Sequence, residues 1–129
     1  MSLSQRAAAS VVQPMKVNES DRDQLRELWR LAAIEAAKAD DRAQRAKEGK
    51  SIFFDALVDT LIQQNEGLSA TKAERMARTS KAFKDYVDEM HDLRLKARLA
   101  EIEEKNRDRI YWEQVSSEAR ERQEMRMTR

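Results

Sequence analysis

The chain has 129 residues, the length of a single domain, and 38% of them are charged while 40% are hydrophobic. Twenty-five basic residues nearly balance 24 acidic ones. The net charge of +1 is too small to attract the protein to nucleic acid or to an anionic membrane surface. The lack of cysteine excludes disulfide frameworks and thiol nucleophiles. No apolar run approaches the ~20 residues of a membrane span, and we expect a soluble cytoplasmic protein.

Three residues divide the chain, because Pro14, Gly49 and Gly67 are its only proline and glycines. Residues 1–18 show no sustained hydrophobic period, so we expect a flexible tail there. We expect a single helical domain over residues 19–129.

The first predicted helix covers residues 20–48. Ser20 provides a capping hydroxyl, and apolar residues recur at helical spacing from Leu25 through a run of alanines to Ala46. Such an alanine stripe allows close approach of another helix. Gly49 is expected to end this helix.

The second predicted helix covers residues 51–65, the most hydrophobic stretch of the chain. A strand is the alternative, because Ile52 and Phe53 are strand-like locally. The spacing of Phe53 and Leu57, and the lack of a second strand to pair with, favour a helix buried on several sides.

The third predicted helix is very long, covering residues 70–127, which contain neither proline nor glycine. Ser69 or Thr71 is expected to cap it, and Thr71 with Glu74 has the spacing of a capping box. Met76, Phe83, Met90 and Ala97, each seven residues from the last, predict a packing seam on this helix.

The predicted fold is therefore all-α, with two N-terminal helices packed on one very long C-terminal helix in a hairpin or coiled-coil-like bundle. A first helix that ends at Gly49 covers the long helix only to about Ala100. An apolar group beyond that point would have no intrachain partner, and exposed apolar patches mark interfaces. We therefore expect a homo-oligomer, joined through a protein interface of Ile110, Tyr111, Trp112, Val115, Ala119 and Met125.

Nucleic acid is an alternative partner, suggested by two modest groups of basic residues. The first group is spaced every third residue, which makes it spiral around a helix instead of lining one face. The expected phosphate contacts are Lys72, Arg75, Arg78, Lys81 and Lys84 in that group, and Arg120, Arg122, Arg126 and Arg129 at the C-terminal end.

Catalysis, a metal and a small-molecule cofactor are not expected. His91 is the only histidine, and Asp88 precedes it at the spacing used in helical metal sites, but such sites need two motifs of this kind. We interpret this segment as a solvated helix face. Two glycines leave no room for a phosphate-binding loop, and long helices with narrow seams rarely enclose an active site.

The segment Tyr111-Trp112-Glu-Gln-Val-Ser116-Ser117-Glu-Ala-Arg120-Glu-Arg122-Gln-Glu-Met125-Arg126 resembles the C-terminal ends of small helical proteins encoded by tailed phages near recombination and replication genes. The resemblance covers the long helix alone and brings no catalytic residues. It implies a phage protein in the cytoplasm of a bacterial host, beside DNA-handling partners.

The leading functional hypothesis is a non-catalytic interaction or adaptor protein that self-associates through the distal part of the long helix and presents its ends to a protein partner. A nucleic-acid-associated accessory factor in DNA recombination or replication is the alternative. A phage inhibitor or scaffold acting on a host or capsid protein is the third.

Overall fold

The computed structural model describes residues 21–128, which form three helices. Helix α1 is Asp21–Gln64, α2 is Ala70–Thr79 and α3 is Lys81–Met127. No strand occurs within residues 21–128, and the prediction of an all-helical protein is confirmed. The predicted tail over residues 1–18 and the predicted cap at Ser20 lie outside the described residues.

The predicted helix boundary at Gly49 is wrong, because α1 continues through this residue to Gln64. A glycine inside a helix costs only about 1 kcal/mol relative to alanine, and tertiary packing compensates here. A Cβ atom added to Gly49 would lie 2.9 Å from the hydroxyl oxygen of Tyr86. Gly49 thus allows close approach of α3, and the two helices predicted over 20–48 and 51–65 are one.

The turn between α1 and α2 lies at the second glycine. Gly67 has a positive φ of 79°, a conformation that favours glycine. The backbone amide of Leu68 donates to the carbonyl of Asn65 at 3.2 Å. Ser69 then caps α2, since its side chain accepts a hydrogen bond from the backbone amide of Lys72.

The prediction of one unbroken helix over residues 70–127 is also wrong, because Ser80 leaves the helical conformation with φ −70° and ψ 150°. Its backbone amide donates to the carbonyl of Ala77 and closes α2. Its side-chain oxygen accepts from the backbone amide of Phe83 at 3.2 Å and opens α3. One serine therefore satisfies backbone groups at two helix ends, which requires neither proline nor glycine.

The described residues divide into two compact units. Unit 1 consists of residues 21–31 and 105–128, and unit 2 of residues 32–104. In each unit a segment of α1 packs antiparallel to a segment of α3, as the contacts below show. The prediction of a single domain over residues 19–129 stays a prediction.

Unit 2 is held together by aromatic contacts and small residues. The rings of Phe53 and Tyr86 stack with centroids 4.6 Å apart, and those of Phe54 and Phe83 meet edge to face at 5.3 Å. Helix α2 contributes two completely buried alanines, and α1 contributes two more that are nearly buried: Ala73, Ala77, Ala36 and Ala39. Of the predicted seam, Met90 is buried, Phe83 and Ala97 are half-buried, and Met76 is exposed.

Unit 1 is built around Tyr111, which is only 6% exposed. Its ring lies 5.5 Å from that of Trp29, centroid to centroid. Further along, the Arg22 guanidinium lies 3.9 Å from the Glu118 carboxylate. The prediction that nothing in the chain covers this region is therefore wrong for Tyr111, because α1 does not end where the sequence suggested. Trp29, near the start of α1, is the residue that covers the Tyr111 ring.

Candidate protein-interaction surfaces

The predicted interface residues on the distal part of α3 do not share one environment. Tyr111 is buried, Ile110 and Val115 are half-buried, and three remain exposed: Trp112, Ala119 and Met125. We call Trp112, Val115 and Ala119 the distal surface, because helical spacing of three and four places them along one side of α3. Trp112 and Ala119 are the exposed members of this surface, and Met125 is exposed farther along α3.

Tyr111 and Trp112 are neighbours in sequence but lie in different environments. Successive residues of a helix point about 100° apart, so Tyr111 faces α1 and Trp112 turns away from it. The two rings meet nearly edge to face, with centroids 5.2 Å apart. Trp112 is 55% exposed, which is unusual for so large an apolar side chain.

A charged side chain holds Tyr111 in place. The guanidinium of Arg26 donates a hydrogen bond of 2.8 Å to the Tyr111 hydroxyl and lies 5.5 Å from the centre of the ring. This hydrogen bond raises the pKa of Arg26 above its ordinary value. Arg26 thus remains charged, and its role was missed from sequence because no local pattern pairs it with a residue 85 positions away.

One turn of α1 carries an ion pair between Arg30 and Glu27. Arg30 donates to both carboxylate oxygens of Glu27, at 2.9 and 2.6 Å. These hydrogen bonds lower the pKa of the Glu27 carboxyl and raise the pKa of Arg30. The pair is exposed on the helix surface, so it stabilises α1 locally and lines no site.

The first basic group is exposed throughout but does not lie on one helix. Ser80 separates Lys72, Arg75 and Arg78 in α2 from Lys81 and Lys84 in α3. One member also has an intrachain role, because the Arg78 guanidinium lies 5.8 Å from the centre of the Phe54 ring. The ammonium of Lys50 lies likewise over Phe83, at 5.9 Å. Aromatic rings thus lie against one member of this group, Arg78, and against Lys50, which is not a member.

The C-terminal basic residues lie among acids. Arg120, Arg122 and Arg126 are exposed on α3, and Arg129 lies outside the described residues. A shallow hollow of about 300 Å³ nearby is lined by Glu121, Glu124, Met125 and Thr128. Two carboxylates in that hollow oppose a phosphate, so this end of α3 offers no clear anion site.

Unit 2 carries an exposed apolar stripe that lies outside the predicted seam. Leu95, Leu99 and Ile102 are 56%, 57% and 63% exposed. Their spacing of four and three places them on one side of α3, and we call them the stripe. The same signal is present in the sequence, but the predicted seam residues Met90 and Ala97 repeat over the same interval of seven residues, and only the structure shows that Met90 is the buried one.

An open groove of about 870 Å³ lies between α1 and α3 in unit 2. Its wall is mostly alanine, and its rim carries three acids and three bases: Asp40, Glu101, Glu104, Lys47, Arg94 and Arg98. The charges balance, and the side chains include no histidine, cysteine or serine. We find no arrangement of a nucleophile and a base in it.

The structure offers no metal site within residues 21–128, since no three His, Cys, Asp or Glu side chains there converge on a point. His91 is exposed on α3 with Asp88 and Asp92 nearby in sequence. None of the described helices combines the length and apolar character needed to cross a membrane.

A comparison of this chain with known protein families, with curated proteins and with solved structures finds no match.

Proposed function

We propose that this is a non-catalytic helical interaction protein that binds another protein chain through the distal surface. The observation that carries the proposal is the 55% exposure of Trp112 beside the buried Tyr111. Tryptophan is among the residues that most often anchor protein interfaces. A rigid aromatic side chain held beside an ordered neighbour loses little conformational entropy on binding.

The surroundings of Trp112 fit a binding surface. Val115 is half-buried and Ala119 is exposed on the same side of α3, so a partner helix can approach closely there. Ser116 lies beside them, and Glu113 and Arg109 form an ion pair of 3.4 Å one turn earlier. An apolar centre with charged and polar neighbours is the usual composition of a protein interface.

The partner at this surface is a protein in our proposal, and self-association through the distal part of α3 stays a prediction. The phage setting suggested by the resemblance likewise stays a proposal. A phage-encoded inhibitor or scaffold would use the same surface against a host or capsid protein.

Capture experiments with immobilised full-length chain test the proposal. We expect at least one protein from a host extract to bind the wild type and to be lost with Trp112→Asp. Ile52→Asp is the matched control, because Ile52 is 72% exposed and lies in unit 2. If Trp112→Asp retains the same proteins as the wild type, the distal surface is not the binding site.

A nucleic-acid-associated accessory factor is the second candidate, and the exposure of all five members of the first basic group supports it. It predicts binding to DNA that weakens steeply with salt. Replacing Lys72 and Arg75 with glutamine should weaken that binding, whereas the same change at Arg120 and Arg122 should have less effect. No binding at low salt would remove this candidate.

A further inference from the structure

A pocket of about 410 Å³ in unit 2 combines two phenyl rings with two cations. It is lined by residues from all three helices, and we call it the aromatic pocket: Lys50, Ser51, Phe54, Arg78 and Phe83. We propose that this pocket binds one nucleotide of a single-stranded nucleic acid, with the base against the rings and a phosphate beside the cations. The inference rests on the second candidate function, and it adds the class of nucleic acid and the residues that read it.

The two phenyl rings form adjoining sides of the aromatic pocket. Phe54 and Phe83 are half-buried, and their ring planes are inclined at 65° with centroids 5.3 Å apart. Packing within unit 2 therefore fixes both rings while part of each side chain stays accessible. Unpaired bases stack on aromatic side chains of this kind, whereas the bases of a duplex are already stacked on one another. The rings thus favour a single strand over a duplex.

Aromatic rings, and not carboxylates, hold the two cations of the pocket. The Lys50 ammonium lies 5.9 Å from the centre of the Phe83 ring, and the Arg78 guanidinium lies 5.8 Å from that of Phe54. Among residues 21–128, neither cation and no atom of the Ser51 hydroxyl has a hydrogen-bond or ion-pair partner. A cation–π contact places a charge without supplying a hydrogen-bond acceptor. The N–H donors of both cations are therefore available to a phosphate oxygen.

The charge around the aromatic pocket suits a polyanion that carries bases. Residues 72–84 include five basic side chains, all exposed, and a single acid, Glu74. The residues given above as the lining of the pocket include no acid. A single strand presents a phosphate and an unpaired base together, whereas an acidic peptide presents only the charge. The combination of rings and cations therefore favours nucleic acid over an acidic protein.

Fluorescence anisotropy of the full chain with a labelled oligothymidylate tests the class of ligand. We expect the single strand to bind at least roughly fivefold more tightly than an abasic strand of equal length, because stacking of a base adds affinity. We expect a duplex of the same length to bind more weakly than the single strand. Equal affinities for the oligothymidylate and the abasic strand would overturn the proposal, and so would equally effective competition by polyglutamate.

Charge-removing variants test the location. Lys50→Gln and Arg78→Gln should each weaken binding and reduce the slope of log K against log salt by about 0.7, the value for one phosphate contact with a single strand. Arg42→Gln is the matched control, because Arg42 is exposed on α1 and lies roughly 120° around the helix from Phe54. If Arg42→Gln weakens binding as much as Lys50→Gln, overall charge and not the pocket determines binding.

A change in one ring separates stacking from charge. Phe54→Leu keeps an apolar side chain in unit 2 and removes the ring, so it should weaken binding to the oligothymidylate and leave binding to the abasic strand unchanged. Circular dichroism shows whether the variant remains helical. An equal loss of affinity for both strands would overturn the stacking role, and the result with Lys50→Gln does not depend on how well Phe54→Leu folds.

The outcomes also distinguish this inference from the proposed functions. If no nucleic acid binds at low salt, the second candidate function fails together with the inference. If single strand, abasic strand and duplex bind equally, the inference fails while nucleic-acid binding stands. Trp112→Asp should leave oligonucleotide binding unchanged, because Trp112 belongs to unit 1 and the aromatic pocket to unit 2.

Discussion

The hydroxyl of Tyr86 donates a 2.6 Å hydrogen bond to the backbone carbonyl of Ala46, 40 residues earlier in the chain. This bond joins α3 to the middle of α1, next to the only glycine within a helix. The carbonyl of Ala46 would accept from the amide of residue 50 in an ordinary helix, and a carbonyl oxygen has a second lone pair for Tyr86. The absent side chain of Gly49 leaves the space that the hydroxyl occupies.

Gly49→Ala should therefore destabilise the wild type. The added Cβ would displace the Tyr86 hydroxyl, with the loss of about 1 kcal/mol from the hydrogen bond and a further ~1 kcal/mol from the disturbed stack with Phe53. Alanine regains about 1 kcal/mol in helix propensity, so the net loss should be about 1 kcal/mol. Denaturant titration measures this change in the free energy of unfolding.

The control for this substitution is the same change in a Tyr86→Phe background. Without the hydroxyl there is space for the new methyl group, and Gly49→Ala should stabilise the protein by up to about 1 kcal/mol. Equal effects of Gly49→Ala in the two backgrounds would show that the glycine does not serve the approach of Tyr86.

Tyr111 and Trp112 offer a matched pair of adjacent aromatic residues. Tyr111→Ala removes the ring packed on Trp29 and leaves Arg26 without its acceptor, so the free energy of unfolding should fall by about 3 kcal/mol. Trp112→Ala should change it by less than about 1 kcal/mol, because the side chain is exposed. Thermal or denaturant unfolding of the two variants measures the difference. An equal loss of stability in both would contradict the assignment of Trp112 to a binding surface.

The side chain of Ser80 is predicted to contribute more to the free energy of unfolding than the side chain of its neighbour Thr79. Ser80→Ala removes the cap of α3 and should lower stability by about 1 kcal/mol, whereas Ser80→Gly should cost only a few tenths. The Thr79 hydroxyl donates only to carbonyls within its own helix, at 3.2 Å, and Thr79→Ala should be nearly neutral. If Ser80→Ala leaves the free energy of unfolding unchanged, α2 and α3 can join into one helix without loss of stability.

Glu27 gives the protein a predictable response to acid. Arg30 lowers the pKa of the Glu27 carboxyl in the folded state below its ordinary value of about 4.5. The pair therefore adds stability above the pKa of the unfolded chain, and this contribution is lost as the pH falls through the lower folded pKa. Glu27→Gln should flatten the dependence of the melting temperature on pH between about 5 and 3, and Arg30→Gln should flatten it similarly. An unchanged profile in both would show that the pair adds no measurable stability.

Composition and hydrophobic periodicity predict the helical fold class, but they do not predict where the helices end. The sequence predicts a helix end at Gly49 because glycine is common where helices end. It does not show that the Tyr86 hydroxyl occupies the space beside this residue. Ser80 was overlooked because a serine inside a charged, helix-forming stretch has only a weak local preference for a cap. Tertiary contacts and hydrogen bonds at these two residues decided where the helices begin and end.

The candidate surfaces were predictable in part. Trp112 was identified from its apolar neighbours, yet Tyr111 belongs to the core because α1 extends farther than the sequence suggested. Leu95 and Met90 both lie in helical patterns, and periodicity alone does not tell which pattern faces α1. Only the packed structure shows that Met90 is covered and Leu95 is not.

The solution mass of the wild-type chain, measured by light scattering coupled to size exclusion across a dilution series at low and high salt, tests most directly whether this protein works by binding other chains. We expect a mass that approaches twice the 15.0 kDa of one chain as the concentration rises. A mass of one chain at every concentration and salt would contradict self-association, and the capture experiment with Trp112→Asp would then decide whether any partner is bound.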